Sequence, residues 1–280
     1  MSLESLILFV LGLVAAALIL PYLRRFIIAL GHVRPNYRGE IIPASMGVVF
    51  ALVPAVLFAG TFAVRPGAAY LDLVPAFLLA TGGMAFWGLI DDVYGSRQAT
   101  GLRGHLVRLL RGEVTTGALK AVGGLTIAFL VSLATAHGPE ILLNTFIIAL
   151  AANALNLLDL RPGRAGKGFL LAGGLLAAAA WPHPFLVFPA AVGGALVAYL
   201  PSDLRGRAMM GDAGSNALGV SLGLTAAWVL SLPAKIGLLV FLVGFHLFTE
   251  RYSLTEVIAN NRLLRFIDRL GRTRREFPDP

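Results

Sequence analysis

Long apolar stretches separated by short polar ones set the rhythm of this chain. Apolar runs occupy residues 3–20, 41–64, 73–90, 121–136, 141–158, 168–181, 185–200, 216–232 and 233–248. A helix needs about 20 apolar residues to cross a bilayer core, so the runs predict nine spans, of which the sixth and ninth are short. Within them, spacings such as Gly219-x-x-x-Gly223 favour close helix packing. Residues 253–270 read differently. Ser253-Leu-Thr-Glu256 has capping-box spacing. Leu263, Phe266, Ile267 and Leu270 then share one helical face, with Arg262, Arg265 and Arg269 around it, and Gly271 can end the helix. This segment predicts a single basic amphipathic helix, lying on a membrane surface or packed on neighbouring loops, followed by a frayed tail.

Composition sharpens the class. The 280 residues are 57% hydrophobic and only 14% charged, with mean hydropathy +0.79, against roughly a quarter charged in a soluble protein. The absence of cysteine excludes disulfides, thiolate metal sites and thiol nucleophiles. Glu4 and the lack of a basic residue ahead of the first apolar run argue against a cleaved signal. With the N-terminus outside, 21 of the 23 Lys and Arg residues fall in inner loops, leaving Arg65 and Lys235 outside. That asymmetry predicts N-terminus out and C-terminus in. It also makes the net charge of +8 a topology and lipid-surface feature, and no nucleic-acid partner is expected. The expected architecture is all-α: a polytopic membrane helical bundle of about nine spans over 1–250, with a cytoplasmic amphipathic helix and tail over 251–280.

Candidate chemistry sits at the inner ends of the spans. Asp91 and Asp92 close the third, where they are a costly pair in low dielectric or simply a solvated loop start. Asn153, Asn156 and Asp159, spaced three apart, draw a polar stripe on an apolar cylinder. Such a stripe is either an interhelical hydrogen-bond seam or the wall of a polar cavity, the second being favoured by its terminal carboxylate. Gly211, Asp212 and Ser215 form a small-residue turn at a helix start, suited to capping or to phosphate. Lys120 opens the fourth span, where it meets an anion or snorkels. Together, four carboxylates, two amides and a lysine on one membrane face suit Mg²⁺ and phosphate oxygens. Residues 163–168 resemble a nucleotide-binding loop but lack its Ser or Thr. His32, His105, His137, His183 and His246 are dispersed and read as structural or surface residues.

In order and placement these motifs resemble the polyprenyl-phosphate N-acetylhexosamine-1-phosphate transferases. The family includes the phospho-N-acetylmuramoyl-pentapeptide transferase of peptidoglycan synthesis and enzymes that initiate teichoic acid and O-antigen glycans. The motifs are Pro43-Ala-Ser-Met46-Gly47, Asp91-Asp92, Lys120, Asn153-x-x-Asn156-x-x-Asp159 and Met210-Gly211-Asp212-x-Gly214-Ser215. The resemblance implies Mg²⁺-dependent transfer of a sugar-1-phosphate from a UDP-linked amino sugar to polyprenyl phosphate, with release of UMP. It implies that Asp212 and Asn156 hold Mg²⁺, that Asp91 is the base for the lipid phosphate, and that Asp92 belongs to the phosphate and Lys120 network. Asp159 becomes a nucleotide-site acid. Asn153, Gly211 and Ser215 become substrate contacts, in a multi-pass protein of the cell (plasma or inner) membrane whose active face is cytoplasmic and which can pair as a homodimer.

The chain also departs from the family. Leu160-Arg161-Pro162-Gly163-Arg164 replaces the usual Gly and second acid after the stripe. Thr249-Glu250-Arg251-Tyr252 lacks the histidine motif for the donor diphosphate, and a tenth span has no counterpart. Arg161, Arg164 and Lys167 are either the replacements as donor contacts or ordinary inner-loop charges that fix topology. The alternative is a non-catalytic relative that binds polyprenyl phosphate or diphosphate and organises envelope-assembly partners. A transporter is disfavoured, because no internal hydropathy repeat or broken central helix is seen.

Overall fold

The computed structural model describes residues 2–95 and 115–272. The expected inner-loop residues Arg97, Arg103, His105, Arg108 and Arg111 and the tail from 273 lie outside the described residues.

Every apolar run contributes a helix. These are α1 (Leu3–Ala29), α2 (Val49–Val64), α3 (Val74–Tyr94), α4 (Thr116–Thr135), α5 (Glu140–Leu158), α6 (Arg164–Ala180), α7 (Val187–Leu204), α8 (Gly211–Val229) and α9 (Leu232–Arg251). Seven of these helices are long and apolar enough to cross a bilayer. The exceptions are α6, with 17 residues, and α8, whose polar residues dilute its hydropathy. The run at 41–64 begins differently from expectation: residues 41–48 are a strand and a 3₁₀ turn. The strand, β2 (Ile41–Pro43), pairs antiparallel with β1 (Val33–Pro35). Pro35 and Pro43 and the Asn36–Gly39 turn favour a short hairpin over a helix there.

Helix α8 is the pole of the bundle. From Ala213 to Ala227 every residue is buried. It is sheathed mainly by α5 and α3, with α6 and α7 behind. Gly219 and Gly223 let it lie directly on Ala151, Ala152 and Ile148 of α5, where a Cβ would collide with backbone. Gly88 does the same for α3 against the first turn of α8. Away from that turn, Phe58, Phe77, Phe188 and Trp228 pack in series, edge-to-face, stacked and tilted in turn, with centroids 5.7, 4.6 and 5.2 Å apart. Each of the two cations expected outside has an acidic partner: Arg65 with Glu4 at 2.5 Å and Lys235 with Glu140 at 2.6 Å. The outward surface is apolar, with Leu18, Leu171 and Val240 about two-thirds exposed; in water such a surface would aggregate, and in a bilayer it is solvated.

The single amphipathic helix expected over 253–270 is two: α10 (Leu254–Asn260) and α11 (Arg262–Arg269). Asn261 divides them, because its Oδ1 accepts from the Leu263 and Leu264 amides at 3.0 Å and caps a new helix. The apolar face of α11 is exposed, whereas its Asp268 turns inward.

Candidate functional site

The first turn of α8 collects side chains from α3, α4, α5 and the segment before α2. Asp91 and Asp92 are consecutive on α3 and therefore diverge by about 100°, which gives them different partners. Asp91 faces α4: its Oδ1 accepts from Thr116 Oγ1 at 2.6 Å and its Oδ2 from Lys120 Nζ at 2.7 Å. Thr116 and Lys120 are one turn apart, so they reach the same carboxylate together. Lys120 also donates to Asp212 Oδ2, which accepts from Asn156 Nδ2 at 2.9 Å. One ammonium thus bridges carboxylates from α3 and α8.

Asp92 turns the other way and caps α8. Its oxygens accept from the Asp212 amide at 2.9 Å, the Ala213 amide at 3.2 Å and the Ser45 hydroxyl at 2.7 Å. Gly211 makes this possible: φ is +74°, and a Cβ there would press on Asp92 Oδ2 and on the Ser45 backbone. Asp159 lies just beyond α5 against the Gly211 backbone. Burial, and then the nearby Asp203, Asp212 and Asp92, hold its carboxyl well above the usual range.

Asp91, Asp92, Lys120, Asn156, Asp159, Gly211 and Asp212 are thus brought together as expected. The others are not. Asn153 is exposed on the side of α5. Ser215 is fully buried and bonds back to the Gly211 carbonyl at 3.1 Å, an i−4 contact inside α8. Arg164 is buried and gives Asp268 two bonds, at 2.9 and 3.3 Å. Lys167 donates to the carbonyls of Ile267, Asp268 and Leu270, the C-terminal end of α11. These two cations anchor the C-terminal segment: a bidentate carboxylate satisfies the guanidinium, and helix-end carbonyls satisfy the ammonium.

Arg161 is exposed and lines a cavity of about 400 Å³ with Tyr37, Arg265, Arg269, Arg272 and Asp268. Arg161 follows Asp159 by two residues in the chain, and the cavity it lines is strongly cationic. Burial would raise the Asp268 carboxyl, but the Arg164 bonds, with Arg272 and Lys167 nearby, outweigh it and hold the group below its usual range.

Four participants escaped the sequence. Thr116 carries a weak signal in its i, i+4 spacing to Lys120. Asp203 is 4% exposed and accepts the Gly163 amide at 2.9 Å, with no local cue. Ser45 lies in a quoted motif without a role of its own. His32, read as structural, contacts Ser45 Oγ at 2.8 Å.

The carboxylate cluster formally outweighs its single lysine, and such an excess draws a second cation. Among the described residues no three His, Asp or Glu side chains gather closely enough to hold a metal unaided. A metal here would complete its shell from amide oxygens, water or substrate oxygens, as Mg²⁺ ordinarily does beside phosphates. Asn216 Nδ2 is buried without a partner next to Asn156. A half-turn of both the Asn156 and Asn216 amides would pair Asn216 Nδ2 with Asn156 Oδ1 and bring that oxygen beside Asp212 Oδ2, so hard oxygen donors are at hand.

A helical membrane bundle with a carboxylate–lysine centre at one end of its pole is the class that fold and site define. The profile of glycosyl transferase family 4 matches residues 74–230, more than half the chain and all the helices that build this centre, and the chain belongs to that family. It is thus a membrane transferase of the sugar-phosphate kind. Comparison with curated proteins gave no match.

Proposed function

We propose that the protein transfers a sugar-1-phosphate from a UDP-linked amino sugar to polyprenyl phosphate, on the cytoplasmic face of the cell membrane, with the N-terminus outside. The observation that carries the reading is the Lys120 bridge between Asp91 and Asp212 at the end of four packed helices. An oxygen of the lipid phosphate bonds to the sugar-bearing phosphorus while the bond from that phosphorus to the UMP oxygen breaks, and UMP leaves with the electron pair. Lys120 neutralises charge on the transferred phosphoryl, which is where such reactions need help. Asp91 takes any proton left on the lipid phosphate; with a second pKa near 6 that group is largely ionised at neutral pH.

Asp212 and Asn156 would hold Mg²⁺ together with substrate oxygens, and the ion would supply further neutralisation of the diphosphate. The donor enters along the arginine cavity, where Arg161 and Arg265 meet its phosphates. Neither makes an ion pair among the described residues. This narrows the expected donor contacts from Arg161, Arg164 and Lys167 to Arg161 with a partner from the C-terminal segment. Release of UMP from a panel of UDP-sugars, with polyprenyl phosphate and with or without Mg²⁺, tests the proposal. Mg²⁺-dependent release with one donor supports it. Tight lipid binding with no release from any donor would make the protein a binder of polyprenyl phosphate.

A further inference from the structure

Ser45 is the only non-glycine residue at positive φ among the described residues, at +53°. A β-carbon in that region is strained, and surrounding structure must hold it there. The backbone on either side is pinned: the Met46 amide donates to Met209 O at 2.9 Å, the Gly47 amide to Met210 O at 3.0 Å, and the Met209 amide to Pro43 O at 2.9 Å. These bonds fasten the segment before α2 to the segment before α8. The conformation aims the Ser45 hydroxyl at Asp92, the cap of α8.

On its other side the hydroxyl meets His32 Nε2 at 2.8 Å. The hairpin places His32 there, since the Ala44 amide donates to His32 O at 3.1 Å at the base of the strand pair. A serine hydroxyl has one proton, and here it goes to the Asp92 carboxylate. His32 Nε2 must then be the donor of the second bond. Burial and the neighbouring Arg34 hold the imidazole below its usual range, so it is neutral near pH 7 with its proton on Nε2. The result is an ordered string, His32 to Ser45 to Asp92 to the amides of Asp212 and Ala213, in which each proton has one acceptor.

We propose that His32 is a positioning residue for Asp212: by orienting Ser45 it fixes Asp92 as the cap of α8 and so sets where the Asp212 carboxylate stands relative to Lys120. Its effect on turnover rests on the transferase reading above; its effect on the first turn of α8 does not. The nitrogen that faces the site, Nε2, has no lone pair to offer as a base there, because its proton is committed to Ser45.

The full-length protein in nanodiscs tests this with His32→Ala, His32→Gln, Ser45→Ala and the double alanine variant. Amide hydrogen exchange over 209–216 is read beside UMP release. His32→Ala should speed exchange in the first turn of α8 and lower kcat about tenfold while KM for the donor stays within about twofold. His32→Gln, whose amide nitrogen can stand where Nε2 does, should restore both, with an unchanged pH profile. The double variant should be no worse than Ser45→Ala, because both act through one hydroxyl. Parental exchange in His32→Ala, additive losses in the double variant, or a Gln variant as impaired as Ala would each overturn the proposal. If the parent itself releases no UMP, the transferase reading fails, and the exchange data alone decide the role of His32.

Discussion

Lys120 and Arg164 each stand in the first turn or so of a helix, each is largely buried, and each meets carboxylate from elsewhere in the chain. Their surroundings separate them. Lys120 serves two carboxylates, from α3 and α8, and more acids lie within reach than it can neutralise. Arg164 meets one carboxylate, Asp268, which also has Arg272 at 3.0 Å, so positive charge is in excess. The first arrangement is short of cations and open to substrate phosphate and metal. The second is locally satisfied and holds α11 against α6, leaving Arg161 and Arg265 over for an anion. Charge in a cleft therefore does not identify catalysis. What distinguishes the two centres is whether the protein already satisfies it.

The sharpest way to break this comparison is to remove charge at each centre in turn. Lys120→Met should lower turnover by about 10³-fold, the scale for losing a preorganised charge partner in a water-poor site, and Asp212→Asn should match it with the fold retained. A mild loss in either, measured as UMP release, would make the bridge structural. Arg164→Gln should act mainly on the fold. Arg272 still pairs with Asp268, so losing the bidentate partner should cost about 1–3 kcal/mol, read as faster proteolysis within 254–272, with turnover falling far less than in Asp212→Asn. The same contact has a defined pH dependence. Because the fold holds Asp268 below its ordinary 3.8, its contribution is present above that value and is lost only as pH falls through the lower, folded value. The segment should stay protected at pH 5.

Smaller effects sharpen the account. Arg161→Gln should weaken UMP binding about tenfold, or about 1.4 kcal/mol, with thermal stability unchanged; parental affinity by calorimetry would leave Arg161 as an ordinary loop charge. Asp159→Asn should raise the melting temperature slightly at neutral pH. The carboxyl of Asp159 is held above its ordinary range, so it binds protons more tightly folded than unfolded, and wild-type stability falls as pH rises between the two values. The gain should shrink toward pH 4, and a melting temperature difference independent of pH would contradict the assignment.

The helices were legible because apolar runs of that length have no other stable use, and Asp91, Asp92, Lys120, Asn156 and Asp212 stood out as polar breaks in those runs. What was not legible is non-local. Nothing near Arg164 announces a carboxylate 104 residues later, so its charge was free to be assigned to a substrate. The C-terminal segment carried a continuous amphipathic pattern, but the cap chemistry of Asn261 divides it. Ser45 acts through a left-handed backbone conformation that only tertiary contacts impose, and that conformation is what recruits His32.

The central claim, that the bundle moves a sugar-phosphate onto a lipid, is tested most directly with a UDP-sugar labelled with ³²P at the sugar-bearing phosphate. In proteoliposomes containing polyprenyl phosphate and Mg²⁺, label should pass into the organic phase in equal amount to UMP released, and Asp212→Asn should abolish both. UMP release with the label left in water would mean hydrolysis rather than transfer. Transfer by Asp212→Asn at the parental rate would place the chemistry elsewhere in the molecule.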